Sequence, residues 1–67
     1  MDLSAQEPWT SAEVVGRHLG VAKDTVYRWV RVRDLPAHRL GRLLKFRISE
    51  VDAWVAREHP PELDQRK

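Results

Sequence analysis

Cysteine is absent from this sequence, so neither a disulfide framework nor a thiolate metal site can supplement its hydrophobic core. Long apolar runs are absent too, since no stretch approaches the roughly 20 apolar residues of a membrane span. The first residues, MDLSAQEPWT, also lack the basic start and apolar run of a secretion signal. These absences favour a cytoplasmic protein with no membrane contact.

Catalytic and metal-binding constellations are also missing. The three histidines, His18, His38 and His59, are not spaced as a metal site, and no cysteine or cluster of carboxylates accompanies them. A Ser-His-Asp triad needs a pocket that a chain of this size does not offer. We therefore expect no enzyme activity, no metal and no cofactor.

The 67 residues make one small domain at most, which buries only about 60% of the surface of its unfolded chain. Apolar residues make up 42% of the sequence, enough for one compact core. Residues 1–8 are polar and acidic and predict a flexible arm. Residues 9–59 predict the folded domain, and residues 60–67 predict a charged tail.

Positive charge is concentrated in the middle of the chain. The stretch Arg17 to Arg47 holds nine basic and two acidic residues, a balance of +7, whereas the remainder holds three basic and eight acidic residues, a balance of −5. The nine basic residues are Arg17, Lys23, Arg28, Arg31, Arg33, Arg39, Arg42, Lys45 and Arg47. Such an asymmetry favours a polyanionic partner, nucleic acid above all.

The first helix is predicted to begin at Thr10 or Ser11, either of which can cap it. Thr10 and Glu13 have the spacing of a capping box, and Trp9 with Val14 would form the matching hydrophobic staple. An apolar stripe of helical period follows at Ala12, Val15, Gly16 and Leu19. A glycine inside this stripe is explained if a second helix crosses closely there.

The second helix is predicted over Lys23–Arg33, after Gly20 has ended the first in a left-handed cap. One face carries the apolar residues Val26, Trp29 and Val30. The opposite face carries Asp24, Tyr27, Arg28 and Arg31. Two helices joined by so short a turn must cross steeply, which is helix-turn-helix geometry.

A basic hairpin and a third helix complete the pattern. Leu35-Pro36 ends the second helix, and Ala37–Leu40 and Leu43–Arg47 predict two strands around Gly41-Arg42. Ser49 is predicted to cap a third helix that ends near His59, before Pro60-Pro61. Its inward residues are Val51, Trp54 and Val55. Tryptophans 9, 29 and 54 are all predicted to lie in the core.

The resulting fold class is mainly α, a winged helix-turn-helix of three helices with a two-stranded wing. The run TSAEVVGRHLGVAKDTVYRWVRVRDLPAHRLGRLLKFRISEVDAWV resembles the excisionase-type, MerR-like helix-turn-helix family. The resemblance covers residues 9–56 and lies in an ordered set of motifs. These are Leu19-Gly20-Val21, Thr25-Val26-Tyr27-Arg28-Trp29, Leu35-Pro36-Ala37, Gly41-Arg42, Lys45-Phe46-Arg47 and Val51-x-x-Trp54.

The resemblance implies that the second helix enters the major groove of DNA while the wing follows the backbone or the adjacent minor groove. Carried over by position, the recognition-helix residues are Lys23, Thr25, Tyr27 and Arg28. The wing residues are Arg39, Gly41, Arg42 and Lys45. Ser11, Arg31 and Arg47 complete the predicted DNA-binding set. Arg can bind guanine bidentately, and hydroxyl groups can bind phosphate oxygens.

The sequence departs from the family pattern near both ends of the second helix. Ala22 stands where a serine N-cap is common, and Asp34 stands where glycine is common. Neither position belongs to the predicted DNA face. These departures therefore concern stability rather than function.

Two roles compete within the family: a transcriptional regulator and a recombination directionality factor, whose further partner would be an integrase. A single domain contacts few base pairs, so we expect cooperative or dimeric binding of duplex DNA by copies of this chain, associated with the nucleoid. Because the sequence has no effector domain after the wing, we expect no small-molecule effector. The alternatives are the DNA-binding domain of a phage packaging (small terminase) subunit and a basic protein-interaction module.

Overall fold

The computed structural model describes residues 7–64. It contains three main helices and one two-stranded antiparallel sheet, which confirms the mainly α architecture with a hairpin wing. A single helical turn follows at the C-terminal end. In chain order the elements are α1 (Ala12–Leu19), α2 (Lys23–Val32), β1 (His38–Leu40), β2 (Leu43–Lys45), α3 (Ile48–Glu58) and α4 (Pro61–Asp64).

The turn between α1 and α2 packs so closely against Gly16 that only glycine fits there. Gly20 ends α1 with φ 79°, the left-handed conformation predicted for it. The chain then turns back so tightly that a Cβ atom at Gly16 would lie 2.6 Å from the Val21 carbonyl oxygen. Real Cβ atoms do not approach backbone oxygens so closely, which is why a helix-weakening glycine stands inside the apolar stripe.

The core is built around two of the three tryptophans. Trp29 of α2 and Trp54 of α3 are fully buried, with ring centroids 5.4 Å apart and planes tilted by 42°. The other buried apolar residues, which surround this pair, are Ala12, Val15, Leu19, Val26, Leu35, Phe46 and Val51. All three helices and the chain leaving β2 therefore share one core.

A strained corner connects α2 to the wing. Asp34 has φ 59°, a left-handed conformation in which glycine would be less strained. The Trp54 indole N–H donates to the Arg33 carbonyl oxygen at 3.0 Å, and the Leu35 amide donates to the Trp29 carbonyl oxygen at 3.2 Å. These two hydrogen bonds fix the backbone on either side of Asp34.

The wing, residues 38–45, is a hairpin with a two-residue turn. Its paired positions are His38 with Lys45, Arg39 with Leu44, and Leu40 with Leu43. Gly41 has φ 66°, whereas Arg42 has no positive φ. A positive φ at only the first turn residue is the type II′ pattern, which suits the twist of hairpin strands. Leu44 packs against the core and anchors the wing.

The chain before α1 binds the far end of the wing. Thr10 and Phe46 exchange two backbone hydrogen bonds of 2.8 Å, and Ser11, not Thr10, caps α1 by accepting from the Val14 amide. The capping box of Thr10 with Glu13 is therefore wrong. Local spacing allowed either residue, and pairing with a residue 36 positions away decided between them.

The N-terminus of helix α3 is capped by a residue that is far away in the sequence. Its N-cap residue is Arg47, and Ser49 lies inside the first turn, so the prediction that Ser49 caps it is wrong. The Ser49 amide and hydroxyl instead donate to the Glu7 carboxylate at 2.9 and 2.6 Å. A carboxylate at a helix N-terminus also meets the positive end of the helix dipole. Of the predicted flexible arm, residues 1–6 lie outside the described residues, whereas Glu7 is held in place.

Trp9 is not a core residue, contrary to the sequence prediction. Its side chain is 38% exposed. It lies between the His38 ring, at 5.0 Å between centroids, and the Arg47 guanidinium, 4.2 Å from its ring centroid. The His38 Nε2 atom lies 2.8 Å from a Glu50 carboxylate oxygen. These contacts join the N-terminal segment, the wing and α3 on the surface of the domain.

The start of the predicted charged tail belongs to the fold. His59 ends α3 with φ 48°, as expected from the two prolines that follow. Pro60 is buried, however, and the turn α4 places Leu63 against the core. Charged and polar residues dominate residues 60–67, so their composition did not predict the contact of Leu63 with the core. Residues 65–67 lie outside the described residues.

Replacing Trp54 tests the core. Trp54→Ala should cost about 3–5 kcal/mol, because it opens a large cavity beside Trp29. Trp54→Phe should cost clearly less, since it keeps an aromatic ring and removes mainly the hydrogen bond to Arg33. Urea or thermal unfolding of both variants measures the difference. An alanine variant that melts within a few degrees of the wild type would contradict this packing.

The Glu7 contact predicts a pH-dependent part of the stability. The hydrogen bond from the Ser49 hydroxyl, then that from its amide, lowers the pKa of Glu7 below its ordinary value of 4.5, with Arg47 adding to the shift. A lowered pKa means that this stabilisation is present above pH 4.5 and is lost as the pH falls through the folded-state value. Glu7→Gln should therefore destabilise the protein at neutral pH and have progressively less effect in acid. A difference from wild type that stays constant between pH 7 and pH 3 would refute the contribution of the charge.

Candidate nucleic-acid interface

A cationic cleft lies between the wing and the starts of α1 and α2. It has a volume of about 390 Å³ and is lined by Ser11, Ala12, Glu13, Lys23, Tyr27, Arg39, Arg42, Leu43, Leu44 and Lys45. Four of these residues are basic and one is acidic. The volume alone would suit a small molecule, but such pockets are mostly apolar with few polar groups. Cations supplied by two separate elements instead favour an extended anion.

Helix α2 forms one wall of the cleft. Lys23 and Tyr27 are one turn apart and point toward the wing, because Val26 and Trp29 turn the opposite side of the helix into the core. Tyr27 is 38% exposed and lies on this wall of the cleft. Its contact with DNA stays a prediction.

The outer face of α2 continues from this wall. Arg28 and Arg31 are exposed and do not line the cleft, whereas Thr25 is half-buried at the other edge of the helix. The helix N-terminus is also open: Ala22 occupies the N-cap position and its side chain makes no capping hydrogen bond. The unpaired amides of the first turn add a positive end to the same surface.

The wing forms the opposite wall. Arg39, Arg42 and Lys45 bring three cations within a hairpin of eight residues. Gly41 lies at the turn, and a Cβ atom there would meet nothing within 4 Å. The wing tip therefore projects away from the body of the domain.

Six of the eleven predicted DNA-binding residues line this one cleft, namely Ser11, Lys23, Tyr27, Arg39, Arg42 and Lys45. Arg47 is placed elsewhere, because its guanidinium lies over the ring of Trp9 and its Nε atom is buried. The sequence predicted that Arg47 lies in the second strand of the wing and contacts DNA as Lys45 does. The chain instead leaves the strand at Phe46 to begin α3, which turns Arg47 toward the N-terminal segment.

Four residues that line the cleft were not in the predicted DNA-binding set, namely Ala12, Glu13, Leu43 and Leu44. Glu13 was read as half of a capping box, but it lines the cleft, and its carboxylate lies 3.8 Å from Arg17. Leu43 was read only as a strand residue. Its position directly after a two-residue turn was a signal that it would lie at the wing tip.

Within residues 7–64, no three His, Asp or Glu side chains converge as metal ligands would. The histidines with carboxylate partners are structural links instead: His18 contacts Asp52 at 2.7 Å and joins α1 to α3. In the same part of the chain, each helix is too short or too polar to span a bilayer.

Comparison with known families matches residues 10–59 to a family described as a helix-turn-helix domain. The match covers more than half of the chain. No curated protein and no solved structure matches it. The family predicted from the sequence is thus confirmed at the level of the helix-turn-helix domain, and the MerR-like features stay a prediction.

Proposed function

The chain belongs to the helix-turn-helix domain family and is a small DNA-binding protein, and we propose that α2 enters the major groove of duplex DNA while the wing lies on the backbone or the adjacent minor groove. The observation that carries this proposal is the cationic cleft, because a phosphate strand lying in it would meet α2 on one side and the wing on the other. Lys23 stands on the α2 wall, and Arg39 and Arg42 stand on the wing wall.

Phosphate binding in the cleft would fix the position of α2 on the duplex. The Lys23 ammonium, the Tyr27 hydroxyl and the open amides at the start of α2 are suitable phosphate ligands. The Ser11 hydroxyl oxygen caps α1, so its proton remains available as a donor to the same strand. These contacts supply affinity and orientation but no sequence information.

Base recognition is assigned to the outer face of α2. Arg28 and Arg31 are exposed there, and a helix of ten residues fits the major groove, which is about 12 Å wide. Arginine pairs bidentately with the O6 and N7 atoms of guanine. A few such contacts make binding sequence-specific, but they do not define a unique genomic site, so several copies must bind together.

The proposed duplex contacts do not by themselves decide the biological role. A transcriptional regulator and a recombination directionality factor use the same duplex contacts, and we propose that this chain has one of these two roles. A neighbouring integrase gene would favour the second. Electrophoretic binding to duplexes from the surrounding promoter and from an attachment site distinguishes them directly.

Arg42→Ala tests the wing contact. Loss of one phosphate contact should weaken binding to specific and random duplexes alike and reduce the slope of log K against log salt by about one. Arg57→Ala is the matched control, because Arg57 is an exposed arginine of α3 that does not line the cleft. An unchanged slope for the Arg42 variant in a salt titration would refute the wing assignment.

Arg28→Ala tests sequence reading. The residue is exposed, and contacts made by exposed charged side chains contribute little to stability, so the variant should melt close to the wild type. Loss of a bidentate base contact should weaken binding to the cognate duplex by about 1–3 kcal/mol and binding to a scrambled duplex much less. Competition binding at fixed salt separates the two quantities. Equal losses on both duplexes would make Arg28 a phosphate contact, and no loss on either would show that this face does not meet DNA.

A further inference from the structure

Two leucines stand exposed at the tip of the wing. Leu40 is 43% exposed and Leu43 is 59% exposed. They are directly paired across the hairpin and bracket the Gly41-Arg42 turn. Opposed residues of an antiparallel pair project from the same face, so the two side chains form one apolar knob.

The fold itself does not need these side chains. Leu44 supplies the contact between wing and core, and Phe46 is completely buried at the end of the hairpin. The turn conformation depends on Gly41, not on its neighbours. Large apolar residues kept in solvent at a projecting tip therefore point to a binding partner.

The surroundings of the knob identify the partner's chemistry. Arg39, Arg42 and Lys45 lie on the same hairpin, and Leu43 shares the cleft with all three. An apolar tip set among cations fits a polyanion with an apolar interior, which describes the stacked bases of a duplex behind its phosphates. A protein partner would have to combine an apolar pocket with a strongly acidic rim.

We propose that Leu40 and Leu43 form a wedge that enters the minor groove, partly unstacks one base step and bends the duplex. This inference rests on the proposed function, because the cationic cleft must first hold the backbone. Apolar wedges of this kind kink DNA toward the major groove. The wedge also adds a source of specificity: binding should favour sites with a flexible pyrimidine–purine step under the wing tip, at which no base need be contacted.

The experiment compares the full chain with the variant Leu40→Ala/Leu43→Ala. The probe is a duplex of about 30 base pairs, selected by the wild-type protein from a random pool and labelled at its ends with a donor and an acceptor dye. We expect wild type to raise energy transfer and the variant to lose at least about half of that change. The variant's affinity should fall about tenfold on the intact duplex and much less on one with a mismatch at the contacted step, where unstacking is already easy.

Arg42→Ala is the second arm and keeps the two proposals separate. It should weaken binding on intact and mismatched duplexes equally, because a phosphate contact does not depend on stacking. If Arg42→Ala behaves this way while the leucine variant bends DNA as wild type does, the wedge is refuted and the proposed function stands. If the leucine variant loses only cooperative binding to a duplex with two sites, the knob contacts a second copy and the wedge is refuted. If selection with the wild-type protein enriches no duplex from the random pool, both proposals fail.

Discussion

The indole of Trp54 is the contact on which the rest of this structure depends. Its ring packs on Trp29 and so joins α3 to α2, and its N–H holds the carbonyl of Arg33 at the corner that leads into the wing. Because the sequence has no cysteine, no disulfide can fix that corner. One side chain thus contacts both α2 and the backbone that leads from α2 into the wing.

The segment before α1 holds the C-terminal end of the wing in place. Thr10 pairs with Phe46, and Glu7 binds the first turn of α3, so the N-terminal segment joins the end of the wing to α3. The cluster of Trp9, His38 and Arg47 covers this junction. The wing is therefore supported at both ends of its hairpin, while its tip, with Gly41 and the two leucines, stays free of the body.

Sequence patterns that span a few residues correctly predicted the elements that short-range interactions determine. The apolar stripes of α1 and α2, the glycine at the crossing, the hairpin turn and the end of α3 before two prolines all follow from spacings of a few residues. For the site, five of the six predicted residues that line the cleft were carried over from the family resemblance, and local pattern alone did not select them. It failed for Trp9, Arg47 and Ser49, whose partners lie on other elements, and for α4, which depends on the burial of Leu63.

The cap that Glu7 provides to α3 links two positions 42 residues apart in a chain of 67. Helices α1 and α2 contact each other within a short stretch of sequence and can form early, but the first turn of α3 gains its partner only when a loop of about 42 residues has closed. Contacts of such separation slow folding, because the loop entropy is lost before the contact forms. Amide exchange at the start of α3 should accordingly report the opening of the N-terminal segment, so that two ends of the sequence behave as one cooperative unit.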